Sequence, residues 1–575
     1  MDTVGSFVLV LHSHLPYVVN NGTWPFGIDW LYEAAAETYI PLINALNELA
    51  DEGLEFGITV GITPVLAEQL DHPVFKRGFV KYLNQNIKFA KQNEKQFKKE
   101  NDEHKAYLAK QWQRIFKTAK EDFTKKFNKD ILGEFRKLQE RGIVDILTSG
   151  ATHGYFPLLS DDKLISSQIR IGVDTHEKHF GTKPSGMWLP ECAYRPAYNW
   201  RPNVNSDLGF EPKMRRGVES LMHENEIRYF FADYELVRKG EVSKSHYATF
   251  DEKDGFFHFA QKEFDFRPDA SQRTPFRVYS AVSSHLGGDA AVAFIRDPET
   301  ARQVWSGEIG YPGTPVYLDF HKKYSEGGLR YWKVTDNELD MAYKHDYYPQ
   351  DIPKAIEENA HHFSELVYKV LDGYKLWTGT EGVLVAPFDS ELFGHWWFEG
   401  PSFLKSALKK IALNPRIKVQ TAKKYYESKD FFDVAKLAEG SWGENNDHGT
   451  WLTSDPFKPT VWTWTLLYND EKLFKEKVAE FEVTKDKKLI KIMNQVAREL
   501  LLMQSSDWQF LITTVSAKDY AERRMYRHHI YFRRLLKIAD YKKENKNLTK
   551  RQELFVRLCC KKDSLFKNLD FRKFI

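Results

Sequence analysis

Cysteine is almost absent from this sequence: Cys192, Cys559 and Cys560 are the three in 575 residues. The last two are adjacent on a basic segment, which excludes an ordinary intrachain disulfide framework and points to a reducing compartment. Excess charge of one sign is missing too, since 83 basic and 80 acidic residues leave a formal +3. No global field therefore draws nucleic acid or an acidic membrane. No segment approaches the roughly 18 uncharged apolar residues that cross a bilayer. The start, MDTVGSFVLVLHSHLP, carries Asp2 and no basic region, and its apolar run stops at His12, too short for a secretory signal. The expectation is a cytoplasmic protein with neither a nucleic-acid nor a membrane partner.

Aromatic residues, by contrast, are abundant, at 15% of the chain. Most must fill the core, because aromatics carry large apolar area. Trp24, Trp305, Trp442 and Trp451 differ in lying within Gly-, Pro- and Asn-rich stretches, where loops are expected. Loop tryptophans beside polar groups suit sugar rings, whose C–H faces stack on flat apolar surfaces while their hydroxyls take hydrogen bonds.

A length of 575 residues suits one large domain with one or two smaller ones. Over 1–80 and 141–400, short apolar runs (FVLVLH, GITVGITP, VDILTSGATHG, EGVLVAPFDSE) alternate with helix-like stretches. That is the pattern of an α/β architecture with buried parallel strands, and the polar residues closing each run suggest strand ends meeting on one face of a barrel. Between 81 and 140, Leu108, Trp112, Ile115, Phe116, Phe123 and Phe127 recur at three- and four-residue steps, predicting a helical insertion. From 401 to 575 helical periodicity returns, clearest in KKLIKIMNQVARELLLMQ, predicting a helical C-terminal domain.

Three groups of residues carry chemistry. His12-x-His14 closes the first strand, and His153 follows another. These imidazoles admit metal ligation, hydrogen bonding to sugar hydroxyls, or a structural role, but the sequence has no H-E-x-x-H or C-x-x-C spacing. In GMWLPECAYRP, Glu191 follows an apolar strand among Trp188, Tyr194 and Arg195, as an ionised carboxylate facing a concave site or as half of a structural Glu–Arg pair. Cys192 beside it lacks an identifiable Cys–His arrangement for a thiol nucleophile. In APFDSELFGHWWFEGP, Asp389, Glu391, His395, Trp396 and Trp397 crowd into nine residues, with Asp389 and Glu391 on one face of an extended strand. Two carboxyls from different strands, one ionised and one kept protonated by apolar surroundings, are what retaining glycosyl transfer needs, at a separation of about 5–5.5 Å.

At these residues the chain resembles glycoside hydrolase family 57, and within it the α-1,4-glucan branching enzymes. HSHLPY, SGATHG, WLPECAYRP, FDSELFGHWWFEGP, EGSWGENNDHGTWL and QSSDW carry the resemblance over essentially the whole length. It implies an incomplete (β/α)7 barrel with a helical insertion and a helical C-terminal domain. It further implies Glu191 as nucleophile and Asp389 as general acid/base, with substrate contacts from His12, His14, His153, Arg296, Trp305, Gly313, Trp396, Trp442, Trp451 and Asp507. The implied activity is cleavage of α-1,4-glucan and transfer to a 6-hydroxyl, forming α-1,6 branches in amylose or glycogen without a cofactor or metal. Three departures stand out. Family branching enzymes use a tyrosine near the tip of a mobile loop, yet 252–275 contains none; Ser516 stands near where some relatives carry Gln; and SSHLGGDA precedes the RDPET motif. The competing readings are an α-glucan hydrolase or glucanotransferase of the same family, a metal-dependent hydrolase or deacetylase built on the three histidines, and a non-catalytic glucan-binding protein.

Overall fold

The computed structural model describes residues 2–574 except 203, 205–210, 244–247, 252–255, 260–272, 284–288 and 545–546. The tyrosine-free stretch and the SSHLGGDA segment fall largely outside the described residues.

Seven strands run parallel: β1 (Gly5–Ser13), β2 (Ile58–Ile62), β3 (Val144–Leu147), β4 (Gly186–Met187), β5 (Tyr229–Ala232), β6 (Ala291–Ile295) and β7 (Gly382–Asp389). One sheet has the order β7-β1-β2-β3, with Ile417–Val419 also beside β1, and a second contains β4-β5-β6. Single parallel bridges, Thr148–Met187 and Arg296–Val385, tie the two sheets. Beyond β6 the second sheet continues through Val278–Ala281, Asp433–Lys436 and Glu241–Ser243. Every residue of β1 is buried, as a strand covered on both faces requires, which explains its unbroken apolar run.

Helices separate successive strands, giving an α/β fold. Among them, Pro73–Lys99 and Glu103–Glu121 pack on each other between β2 and β3, burying Leu108, Trp112 and Phe116. Trp112 Nε1 donates to the Arg330 carbonyl at 2.7 Å, fastening this helical pair to the loop after β6. The expected onset of the helical C-terminal region at 401 needs adjustment, since Ile417–Val419 and Asp433–Lys436 still pair with the sheets. Beyond them Val461–Phe481, Lys487–Met503 and Lys518–Lys543 pack together. Among the described residues no helix is long and apolar enough to cross a membrane.

Candidate active site

The site forms where the C-terminal ends of β1 and β7 meet the turns after β3 and β4 and a corner of the helical C-terminal region. The β1–β7 register pairs His12 with Asp389, and the β1–β2 register sets His12 against Gly61. A Cβ at Gly61 would stand 3.1 Å from His12 Nδ1, so glycine leaves the imidazole its room. His12 stacks on Trp188 with centroids 4.7 Å apart, and His14 stacks on His153 at 3.9 Å.

Glu191 and His153 both sit in left-handed backbone, at φ 60° and 59°. Such conformations cost of order 1–3 kcal/mol for non-glycine residues and persist only where surrounding contacts impose them. Here the contacts are explicit. Ser506 Oγ donates to Glu191 Oε1 at 2.8 Å, and Trp442 Nε1 donates to Oε2 at 3.0 Å. The Trp442 amide also donates to the Glu191 carbonyl at 3.2 Å, while the Ser506 amide donates to the His153 carbonyl at 3.0 Å. The alternative of a structural Glu191–Arg195 pair is not what forms: Arg195 is buried, 3.5 Å from Asp162. Cys192 is fully buried, and burial drives its thiol up.

The imidazoles and Ser506 form a chain. His12 Nε2 and His153 Nε2 are 3.2 Å apart, and His153 Nδ1 lies 3.0 Å from Ser506 Oγ. Burial holds both imidazoles neutral, with the neighbouring His14 adding to it. With Glu191 ionised, one proton assignment satisfies every contact: His12 donates to His153, His153 to Ser506, and Ser506 to Glu191. His12 Nδ1 is then a bare acceptor, matching its lack of a hydrogen-bond partner. His14 differs. Burial depresses its imidazole, but Asp507, 2.9 Å from Nε2, and the Glu191 and Glu391 charges outweigh this and raise it. Its Nδ1 faces Thr63 Oγ1 at 3.1 Å.

β7 ends at Asp389, and Ser390–Leu392 is a short 3₁₀ turn, so Glu391 is positioned by that turn instead of by an extended strand. Glu391 accepts from the His14 amide at 3.2 Å and from the Tyr39 hydroxyl. Among the described residues the Asp389 carboxyl has no hydrogen-bond partner, and burial, then Glu391, then Glu191, push it well up. Glu191 also rises through burial, opposed by its Trp442 and Ser506 donors and by His14. Both carboxyls are thus pushed towards their neutral forms, Glu191 against two hydrogen-bond donors and Asp389 against none among the described residues.

The remaining expected contacts divide. Arg296 lies over the Trp442 ring, 5.7 Å from its centroid, and pairs with Asp233 at 3.2 Å. Arg296 and Trp305, the last residue of Pro298–Trp305, line a cavity of about 410 Å³. Gly313 lies in the turn Tyr311–Gly313, outside that cavity's described lining. Trp396 is exposed and stacks on Phe320 with rings 4° apart. Trp451 corrects the expectation of a groove contact: it is 1% exposed and stacked on Tyr155 at 4.6 Å, leaving no face for a sugar. Ser506 and Tyr39 are contributors missed in the sequence. The first is next to Asp507 in QSSDW; the second closes a π-helical turn, Ala35–Tyr39, for which the sequence carries no signal. Among the described residues, the trio of potential metal ligands close enough to share an ion is Glu499, His528 and Asp563 in the helical region, not the three imidazoles.

The glycosyl hydrolase family 57 model matches residues 8–436. The chain belongs to that family. Within family 57, residues 467–574 also match the model described as the C-terminal region of 1,4-alpha-glucan branching enzyme. A 1,4-alpha-glucan branching enzyme of Thermococcus kodakarensis is 39% identical over 533 residues, covering 92% of this chain and 73% of the relative. A family 57 branching enzyme from that archaeon has a crystal structure in complex with glucose and additives. It superposes with TM-score 0.86 at 36% identity, covering 100% of this chain and 96% of that one. An α-amylase of Thermotoga maritima, AmyC, superposes with TM-score 0.79 at 28% identity, covering 99% of both chains.

Proposed function

We propose that this family 57 chain is a 1,4-α-glucan branching enzyme acting on amylose and glycogen by double displacement, with Glu191 as nucleophile and Asp389 as acid/base. The observation that carries the assignment is the difference in hydrogen bonding between the two carboxyls. Glu191 is held by two donors that favour its ionised form, whereas the Asp389 carboxyl, without a hydrogen-bond partner among the described residues, is pushed well up. In the first step Glu191 attacks the anomeric carbon while Asp389 gives its proton to the leaving glycosidic oxygen. In the second, Asp389 takes the proton of a glucan 6-hydroxyl, that oxygen bonds C1, and the C1–O bond to Glu191 breaks. Anomeric configuration is retained, and no nucleotide sugar or metal enters. His12, His14, His153, Arg296, Trp305, Trp442 and Asp507 serve as substrate contacts or positioning residues around this pair.

The fold reading belongs to the same proposal. The two bridged sheets make an incomplete (β/α)7 barrel over 1–80 and 141–400, with 81–140 a helical insertion. The parallel sense of all seven strands and the two inter-sheet bridges support it. The helical C-terminal domain is better begun after Asp433–Lys436 than at 401. The protein is assigned to the cytoplasm.

Incubation with amylose, scoring reducing ends before and after an α-1,6-specific debranching step, tests this. New debranchable linkages are expected, lost by at least a thousandfold in Glu191→Gln and unchanged by chelator. Reducing ends without branches would favour the α-glucan hydrolase reading, for which the similarity to the Thermotoga amylase is the supporting observation. Activity removed by chelator and restored by zinc would favour the metal-dependent hydrolase, and glucan binding without turnover would leave a binding protein.

A further inference from the structure

The turn that carries His153 and the turn that carries Ser506 and Asp507 come from segments far apart in the chain, with 353 positions between His153 and Ser506, yet their side chains meet at hydrogen-bond distance. They join directly through the Gly154–Ser505 bridge, the Ser506 amide on the His153 carbonyl and the Thr152 hydroxyl on the Leu501 carbonyl. Behind these contacts runs a line of three side chains that takes no part in the proposed displacement. Gln168 on the helix Asp162–Phe180, Gln504 just past the helix Lys487–Met503 and Glu471 on the helix Val461–Phe481 are all fully buried.

The ends of this line fix the direction of every hydrogen bond in it. The Thr152 N–H donates to Gln168 Oε1 at 3.0 Å, so the other atom of that amide is Nε2, which donates to Thr152 Oγ1 at 3.0 Å and to Gln504 Oε1 at 2.8 Å. Gln504 Nε2 is thereby turned to Glu471 Oε1, 2.8 Å away, and Glu471 Oε2 accepts the Ser160 N–H at 3.0 Å. None of the side-chain N and O atoms in the line is left without a partner. A reversed amide anywhere would set two donors or two acceptors face to face in a buried place, which is costly. The backbone is shaped to admit the line. A Cβ at Gly154 would stand 3.0 Å from Gln168 Nε2, and one at Gly150 would stand 3.3 Å from Gln168 Oε1, so the glycines on either side of Ala151, Thr152 and His153 leave room for the amide. The Gln168 carbonyl takes the Ala151 N–H as well, at 2.9 Å.

Gln168 therefore holds the residue before His153 with one atom and the residue two before Ser506 with another. Building on the assignment of Glu191 as nucleophile, we propose that Gln168, with Gln504 and Glu471 behind it, is a positioning residue that sets these two turns in register, so that the Ser506 hydroxyl meets Glu191 and Asp507 meets His14. A slip of about 1 Å between the turns would open the 2.8 Å Ser506–Glu191 contact beyond a hydrogen bond, and a misplacement of that size costs about a hundredfold in rate.

Polarity supplies a test that packing alone does not pass. Glu471→Gln keeps the side-chain volume but sets an NH2 group against either Gln504 Nε2 or the Ser160 N–H, and turning over Gln504 and Gln168 only carries the clash along to the Thr152 N–H. Adding Gln168→Glu restores the initial charge and gives the Thr152 N–H and a turned-over Gln504 an acceptor, so every step of the line is again donor to acceptor. With amylose and the full-length protein, Glu471→Gln should lower kcat roughly ten- to a hundredfold with KM within about twofold, and should move the acidic limb of the kcat/KM profile upwards as Glu191 loses its Ser506 donor. The double variant should recover to within about fivefold of wild type, with the limb back in place. Gln504→Met, similar in length and uncharged, breaks the line at its middle and is the second variant should Glu471→Gln not fold; it should show the same limb shift. An acidic limb that stays within about 0.3 unit of wild type in the folded variant, or a double variant no better than Glu471→Gln, would overturn the positioning role. Amylose cleavage retained in Glu191→Gln would overturn the nucleophile assignment and the positioning role with it. A wild type that cleaves without branching would overturn the branching reading and leave the positioning role to be judged by the same profiles.

Discussion

Ser506→Ala isolates the donor that ends the imidazole chain. The substitution removes one oxygen from a buried position, so the fold loses little volume while Glu191 Oε1 loses its 2.8 Å donor. A hydrogen bond to a charged group contributes about 1.5–3 kcal/mol. Because this bond favours the ionised carboxylate, its loss raises the Glu191 pKa, by roughly 1–2 units at 1.36 kcal/mol per unit. As the proposed nucleophile Glu191 must be ionised to attack, so the acidic limb of the kcat/KM profile should move up by that amount while the basic limb, assigned to Asp389 in the same proposal, stays. At a pH below the new limb the rate falls roughly ten- to a hundredfold; well above it the loss is smaller. Initial branching rates between pH 4 and 9 with a defined maltooligosaccharide measure this, and Ser506→Thr should restore the wild-type limb. An acidic limb that moves by less than about 0.3 unit while activity still collapses would refute the proton assignment, leaving Ser506 a purely steric support.

Glu391→Gln removes a like charge that raises Asp389, so the basic limb should shift to lower pH, read from the same profile. Gly394→Ala should lower the melting temperature, with about 1–3 kcal/mol lost, because the backbone there has φ 115° and a Cβ would stand 1.8 Å from the Glu37 carbonyl oxygen. Glu68 is buried, yet His179 and Lys178 outweigh burial and hold it down at about 2. Its folded pKa lies below the ordinary 4.5, so its contribution, about 3 kcal/mol, is fully present above that pH and fades as pH falls towards 2. Glu68→Gln should therefore destabilise at pH 7 by several degrees, with the gap to wild type narrowing below pH 4.5 in thermal melts.

The strands were the most legible part of the fold, because buried parallel strands leave continuous apolar runs: FVLVLH lies within β1, and EGVLVAPFDSE contains the whole of β7. The helical pair at 73–121 was legible in its period but not in its start, since Pro73 begins a helix before the Lys-rich composition appears. Inside the region expected to be helical from 401, the strand Ile417–Val419 was not legible because it is three residues long and flanked by helices, too short to show a period. Around the site, residues that chain chemistry marks locally were readable: His-x-His, a Glu after an apolar strand, paired carboxyls. Partnerships across hundreds of residues were not. Nothing near Ser506 announces that its hydroxyl meets Glu191, 315 positions earlier. Trp442 and Trp451 lie nine positions apart in one loop-like stretch, yet the first donates to Glu191 and the second is packed behind Tyr155. Local composition cannot separate two indoles whose surroundings come from elsewhere in the chain.

The contact between His14 and Asp507, 493 positions apart, also has a meaning in time. At a synthesis rate of roughly 5–20 residues per second, Asp507 leaves the ribosome some 25–100 s after His14. During that interval the nascent strands can pair, but Glu191 lacks its Ser506 donor to the end and its Trp442 donor for most of the time, and His14 lacks the Asp507 charge that raises its imidazole. Catalytic competence is thus deferred until nearly the last helix has docked. A ribosome-bound or prematurely terminated chain is a scaffold whose proposed nucleophile, Glu191, lacks the Ser506 hydroxyl that supports it.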